Sequence, residues 1–164
     1  LTDPEGPTRV AHLIDDQTPP ILWWHGEDMM WRRNIMGPVH VAKPYKQTTS
    51  VLNDGRLHTA WASDDAPTQH WAKVEWEKPV DVSCVVIHWA DRVGVFRTSS
   101  QYRIEVLLDS GWETVVKVDK NREQPWNVHE FPMVSTTGVR VVQSLGGGHP
   151  LHPNRMWLRQ IQVF

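Results

Sequence analysis

The sequence holds a single cysteine, Cys84, which excludes an internal disulfide framework and any zinc cluster built on thiolates. Charge of one sign is also scarce. The 17 Lys and Arg stand against 19 Asp and Glu, so the footprint of a general nucleic-acid binder is missing. No apolar run approaches the roughly 18 residues that a membrane-spanning helix needs. Convincing helix-length patterns, internal repeats and low-complexity tracts are lacking too. The chain has no G-x-S-x-G elbow and no H-E-x-x-H pair, and Gly146-Gly147-Gly148 opens no helix as a dinucleotide loop would. No pair of acidic residues is placed by motif in glycosidase roles. His149 and His152 share a spacing that some zinc sites use, but a proline follows each and no partner carboxylate stands nearby in sequence. Nothing here carries a reaction, and the chain reads as non-catalytic. It opens at Leu1 without a signal peptide, as a processed chain or an excised domain would.

What is abundant is tryptophan: ten, against three Phe and two Tyr, with twelve Pro spread through 164 residues. That length suits one domain with a core of its own. Trp offers a large flat apolar face with one N–H donor, which serves both cores and binding platforms. Most of the ten, Trp61 among them, are expected in the core. Trp126 and the Trp23-Trp24 pair are the more open candidates for a stacking surface. Cys84 stands mid-strand among apolar residues, where a thiol is buried and inert.

Residues 1–33 differ from the rest. Two breaker clusters, Asp3-Pro4-Glu5-Gly6-Pro7 and Asp15-Asp16-Gln17-Thr18-Pro19-Pro20, bracket short apolar runs. They read as an irregular N-terminal extension packed on the main domain through Trp23, Trp24, Met29, Met30 and Trp31. Glu27-Asp28 ahead of Arg32-Arg33 matches a helix macrodipole and predicts a short helix over 27–33.

From Asn34 to Phe164 the rhythm is that of strands. Residues 70–77 (HWAKVEWE) alternate, while 81–90 (DVSCVVIHWA) are apolar on both faces, as in a central strand. Further strands are expected over 101–108, 112–118, 127–131, 139–142 and 156–164. Turns are expected at 53–55, at Lys78-Pro79, and over 109–111, 121–125, 136–138 and 146–148. This spacing indicates an all-β sandwich or barrel.

The order of these pieces resembles a coagulation-factor type C (discoidin) domain of the galactose-binding-like fold, a group that includes family 32 carbohydrate-binding modules. The resemblance is carried by Asn34-Ile35, by the loop from Asp54-Gly55 through Thr59 to Trp61, and by the strand around Trp71, Val74, Glu75 and Trp76. It continues with Tyr102-Arg103-Ile104-Glu105, Asp109-Ser110-Gly111-Trp112, Gly138-Val139-Arg140-Val141-Val142 and the run from Leu158 to Phe164. It implies a jelly-roll β-sandwich of eight or nine mainly antiparallel strands over 34–164. It also implies a structural calcium ion held by Val51, Asp54, Arg56, Thr59, Arg159 and Gln160, since such a cation takes six or more oxygens. The family normally has Glu where Gln160 stands. One formal negative charge fewer implies weaker calcium binding or an empty site.

In sugar-binding members the loops at one end of the sandwich form a shallow site. The matching loops here are 62–69, 91–100 and 144–155. They bring Asp64, Asp91, Arg92, Arg97, His149, His152, Asn154 and Arg155 as candidate ligand-binding residues. A planar guanidinium beside a carboxylate suits vicinal hydroxyls, and Arg suits the acidic groups of glycans. The third loop is expected to be flexible at its glycines and stiffened by Pro150 and Pro153. Ala62 stands where several galactose-binding modules place a histidine, so the resemblance does not extend to galactose specificity. The implied function is a monomeric, non-catalytic module that tethers a secreted or cell-surface protein to a glycan, attached to other domains of a larger protein. Two alternatives are an accessory sandwich packed on a catalytic domain and a protein- or phospholipid-binding module. The latter works through apolar loop tips, here Phe96 and Leu151.

Overall fold

A computed structural model describes residues 60–164 in full and, by backbone alone, four strands that precede them. In chain order the strands are β1 (Thr8–His12), β2 (Pro20–His25), β3 (Asp28–Arg33), β4 (Val39–Val41), β5 (Trp61–Ala62), β6 (His70–Trp89), β7 (Asp91–Arg92), β8 (Val95–Phe96), β9 (Tyr102–Leu108), β10 (Gly111–Val118), β11 (Trp126–Gln143) and β12 (Trp157–Val163). There is no helix among the described residues, and every strand pairing is antiparallel.

The N-terminal expectations need correction. The extension read as irregular forms a three-stranded sheet in the order β1-β2-β3. Residues 28–33, expected as the end of a short helix, are strand β3, with Asp28 opposite His25 and Arg33 opposite Pro20. A helix of seven residues gains little from the charges at its ends and bears the whole cost of nucleation. A ladder along a neighbouring strand satisfies the same backbone groups one by one. The expected packing of Trp23, Trp24, Met29, Met30 and Trp31 falls on side chains outside the described residues.

The main sheet follows the path β10-β9-β11-β6-β12-β5, with β4 paired to β6. Two of its strands are too long for one layer. Residues 70–75 of β6 pair with 138–143 of β11, and residues 80–88 pair with 126–136. Each therefore runs through one layer, bends and continues in the other, and seven strands fill the places of the expected eight or nine. The turns expected at Lys78-Pro79 and over 136–138 are these bends. The ladder slips between Glu130 and Val134 and again between Thr136 and Gly138, as β-bulges do where a sheet folds on itself. Pro79, which has no N–H to donate, lies exposed at the bend, where no ladder bond is lost. Thr136 Oγ1 pins the corner by accepting from the Leu107 and Gly138 amides at 3.0 and 3.1 Å.

Between the layers lies one apolar cluster around Trp61, Trp89, Tyr102, Ile87, Ile104, Met156, Leu158 and Ile161, all buried. Trp61 belongs to the core, as expected. Cys84 is buried as well, and residues 84–89 of β6 are buried on both faces, which fits a strand flanked by β11 and β12.

Tyr102 donates its O–H to His129 Nε2 at 2.8 Å, with the two rings edge to face at 5.6 Å. Burial pushes His129 down from 6.5 to about 4. The unfolded chain therefore takes up this proton first as the pH falls. The stability that neutral His129 contributes is complete above pH 6.5 and is lost between 6.5 and about 4. Partial exposure lowers the full linkage value, leaving roughly 2 kcal/mol, or about 5 °C in Tm. Thermal melts across that interval should show this fall, and His129→Gln should flatten it. An unchanged slope in the variant would show that the imidazole titrates normally.

Candidate functional site

The folded-over strands bring four connections to one end of the sandwich. Gln143 is opposite both His70 and Tyr102, Trp126 is opposite His88, Val118 is opposite Tyr102, and Trp157 is opposite Ala62. Loops 63–69, 90–101, 119–125 and 144–156 therefore share that end. The three loops expected to carry the site are brought together, and the fourth, 119–125, was missed. Its run from Asn121 to Pro125 shows only turn chemistry, but the strand order places it here.

Loop 119–125 is joined to loop 90–101 by a polar network. Trp89 Nε1 donates to Asn127 Oδ1 at 2.7 Å, Asn121 Nδ2 donates to the Ser99 carbonyl at 3.1 Å, and Thr98 Oγ1 donates to the Gln124 carbonyl at 2.8 Å. Ser99 Oγ then reaches Gln143 Oε1 at 2.6 Å. These bonds fix the backbone on both sides of Arg97. Glu123 extends over the same loop and accepts from the Phe96 amide at 3.1 Å.

Loop 144–156 is anchored at the glycines expected to be flexible. The Gly147 amide donates to the Ser144 carbonyl at 2.8 Å, and the Gly147 carbonyl accepts from the Gln101 amide at 3.0 Å. The Gly148 amide donates to the Pro153 carbonyl at 2.8 Å. Both residues are buried, and glycine is required there because backbone oxygens occupy the space a Cβ would take.

Two expected site residues meet at the centre. Arg97, 8% exposed, points Nη1 at His149 Nδ1 across 3.5 Å. His149, 7% exposed, accepts from the Leu151 amide on the same nitrogen at 3.2 Å, and its Nε2 lies 3.9 Å from Glu123 Oε2. Desolvation, and then the Arg97 charge, hold His149 below the usual histidine range, while Glu123 pulls the other way. The ring is neutral near pH 7, with its lone pair on Nδ1.

The other expected residues have different surroundings. Asp91 is ion-paired with Arg159 of β12. Asp64 Oδ1 stays close to its own loop, near the Ala66 amide and 3.7 Å from His70 Nδ1. Arg155 lies over the Trp157 ring at 5.5 Å, and the His152 ring is 6.1 Å from the same indole. Asn154 is half-buried, and Arg92 is exposed on the β7–β8 hairpin. The tip of that hairpin is Val93-Gly94, with φ of 54° and 76°, a left-handed pair in which a β-branched residue is strained. Val93 is 94% exposed, and Leu145 and Leu151 are exposed on the neighbouring loop. Phe96, expected as an apolar tip, is half-buried. Trp126 opens to solvent at the start of β11, 39% exposed, with its ring 6.3 Å from that of His88.

Of the calcium ligands that the resemblance implies, Val51, Asp54, Arg56 and Thr59 lie outside the described residues. Arg159 and Gln160 are in β12, where Gln160 is fully buried opposite His88. A buried neutral amide and a strand carbonyl are oxygen donors of the kind calcium accepts.

A galactose-binding-like sandwich with a polar loop cluster at one end is thus defined. The family model described as "NedA-like, galactose-binding domain", of the F5/F8 type C group, matches residues 51–141, and the chain belongs to that family. No curated protein sequence matches it. Among solved structures it is similar to chitosan-binding module 1 of a chitosanase/glucanase from Paenibacillus sp. IK-5, with 21% identity, a TM-score of 0.69, and 81% of this chain and 99% of that one covered. Module 2 of that enzyme, in complex with chitotriose, is 19% identical with a TM-score of 0.67, covering 80% of this chain and 98% of the other. The family 32 carbohydrate-binding module of NanJ from C. perfringens, in complex with galactose, is 15% identical with a TM-score of 0.63, covering 77% and 91%. These likenesses establish the fold. Among the described residues no helix is long and apolar enough to cross a membrane.

Proposed function

We propose that the chain is a non-catalytic carbohydrate-binding module that uses the four-loop end of the sandwich to hold a secreted or surface protein against a glycan. The observation that carries this reading is the convergence there of Arg97, His149 and Glu123, with the exposed indole of Trp126 at the start of β11 on the same end. The cluster supplies directional partners for hydroxyls, and the indole offers a flat face for a pyranose ring. That solved structures of the same fold include modules in complex with chitotriose and galactose supports a saccharide as ligand. A single small site of this kind binds weakly, and neighbouring modules in a larger protein would raise the effective affinity. We assign the loop around Asp54, together with Arg159 and Gln160, to a calcium ion that stiffens the fold and takes no part in contact with the sugar.

A glycan-array screen of the chain, in calcium and again in chelator, tests both assignments. Binding to a defined glycan set is expected in each condition, with a lower Tm in chelator. Trp126→Ala should weaken binding roughly tenfold, about 1.4 kcal/mol, with little change in Tm. A blank array from folded protein would remove the saccharide reading. The exposed Val93, Leu145 and Leu151 favour a second reading, a protein or phospholipid surface as partner. Sedimentation with phosphatidylserine vesicles in place of glycans would support it.

A further inference from the structure

Among the described residues Arg97 is a buried cation without a counter-ion. The residue is 8% exposed, and the one side-chain hydrogen-bonding neighbour described for it is the neutral His149 imidazole at 3.5 Å. Nε is buried and has no partner among the described residues. Two other arginines near this end have a carboxylate partner: Arg159 is paired with Asp91, and Arg103 is paired with Glu105. Glu123, the nearest carboxylate of the cluster, faces the far nitrogen of His149 and the Phe96 amide. The imidazole thus separates the acid from the guanidinium. A buried charge left unpaired destabilises the free protein, and the arrangement is retained where a ligand supplies the missing anion. The planar fork of a guanidinium takes a carboxylate or a sulfate in two parallel bonds. The fork is also held ready, since the networks through Thr98, Ser99 and Gln124 fix its backbone.

Resting on the saccharide reading above, we infer that the module recognises an acidic sugar, with Arg97 as the receptor for its carboxylate or sulfate group. The His149 imidazole lies against the guanidinium, and no carboxylate among the described residues is ion-paired with it.

The test is calorimetric titration of the full chain with trigalacturonate, its methyl ester and galactose 6-sulfate, at low and physiological salt, alongside Arg97→Met and Arg97→Lys. Trigalacturonate is expected to bind at least tenfold more tightly than its ester, and the preference should shrink as salt rises. Arg97→Met should lose that preference, and Arg97→Lys should keep part of it. In thermal melts without ligand, Arg97→Met should match or exceed the parent Tm, because the change removes an unpaired charge. A clear fall in that Tm would show that Arg97 is satisfied in the free protein and would overturn the inference. Tighter binding of the sulfate than of the uronate supports it and identifies the anion. Equal binding of acid and ester overturns it while leaving a saccharide-binding module. Binding of no sugar, charged or neutral, would sink both readings.

Discussion

Replacing Trp89 with alanine is expected to cost about 3–5 kcal/mol of stability, the range for truncating a buried aromatic residue. Trp89 closes the β6 half of the core and meets Tyr102, at the start of β9 in the other layer, edge to face with centroids 5.2 Å apart. It is fully buried, and its Nε1 donates to Asn127 Oδ1, which also accepts from Asn121. The substitution would open a cavity between the layers and free one end of the network that holds loops 90–101 and 119–125. Urea unfolding should show the loss as a lower midpoint with little change in slope. Trp89→Phe should cost only about 1–2 kcal/mol, since it keeps much of the packing and leaves Asn127 with Asn121 as donor. A value below 1 kcal/mol for the alanine variant would contradict the packing described above.

Gly148→Ala should do most damage to binding. An added Cβ would lie 2.5 Å from the His152 carbonyl oxygen and 2.8 Å from those of Arg155 and Pro153. All three are backbone atoms, so no side-chain rotation relieves the clash. The turn must open, and His149, the next residue, must move with it. We expect a loss of about 2–3 kcal/mol in stability and at least tenfold in saccharide affinity. Gly146→Ala is the contrast: unlike Gly148, Gly146 has a positive φ, 70°, and its Cβ would meet nothing within 4 Å. That change should cost only about 1 kcal/mol and spare binding. Equal effects from the two variants would mean that the ring of carbonyls around Gly148 does not govern this loop.

Much of the fold was legible because alternation is a local signal. The Ala72, Val74, Trp76 series and the apolar run through Val85, Val86 and Ile87 each dictate a strand within a few residues. The failures have local causes too. The charges around 27–33 suit a helix, but end charges are a small effect beside hydrogen bonds offered by a neighbouring strand. Pro79 and the Thr136-Thr137-Gly138 run look like chain reversals, whereas the strands bend there and go on. The candidate site was legible only as a set of loops. That Asp91 meets Arg159, 68 residues away, while Arg97 meets a neutral histidine 52 residues away, depends on which side chains the loops bring face to face. No spacing rule along the chain distinguishes the two arginines. Glu123 was missed for the same reason, because its partners come from two other loops.

The two strands that pass through both layers have a mechanical consequence. A sandwich of two separate sheets can be pulled apart by sliding one over the other, but here each layer continues covalently into its neighbour at 76–79 of β6 and 136–138 of β11. Load applied at one layer is carried round those bends into the second, so the sheets cannot shear past each other without first unzipping the β6–β11 ladder. In the anchoring role proposed above the module would work under such drag, and the folded ribbon would give it a single rupture event in place of gradual slippage.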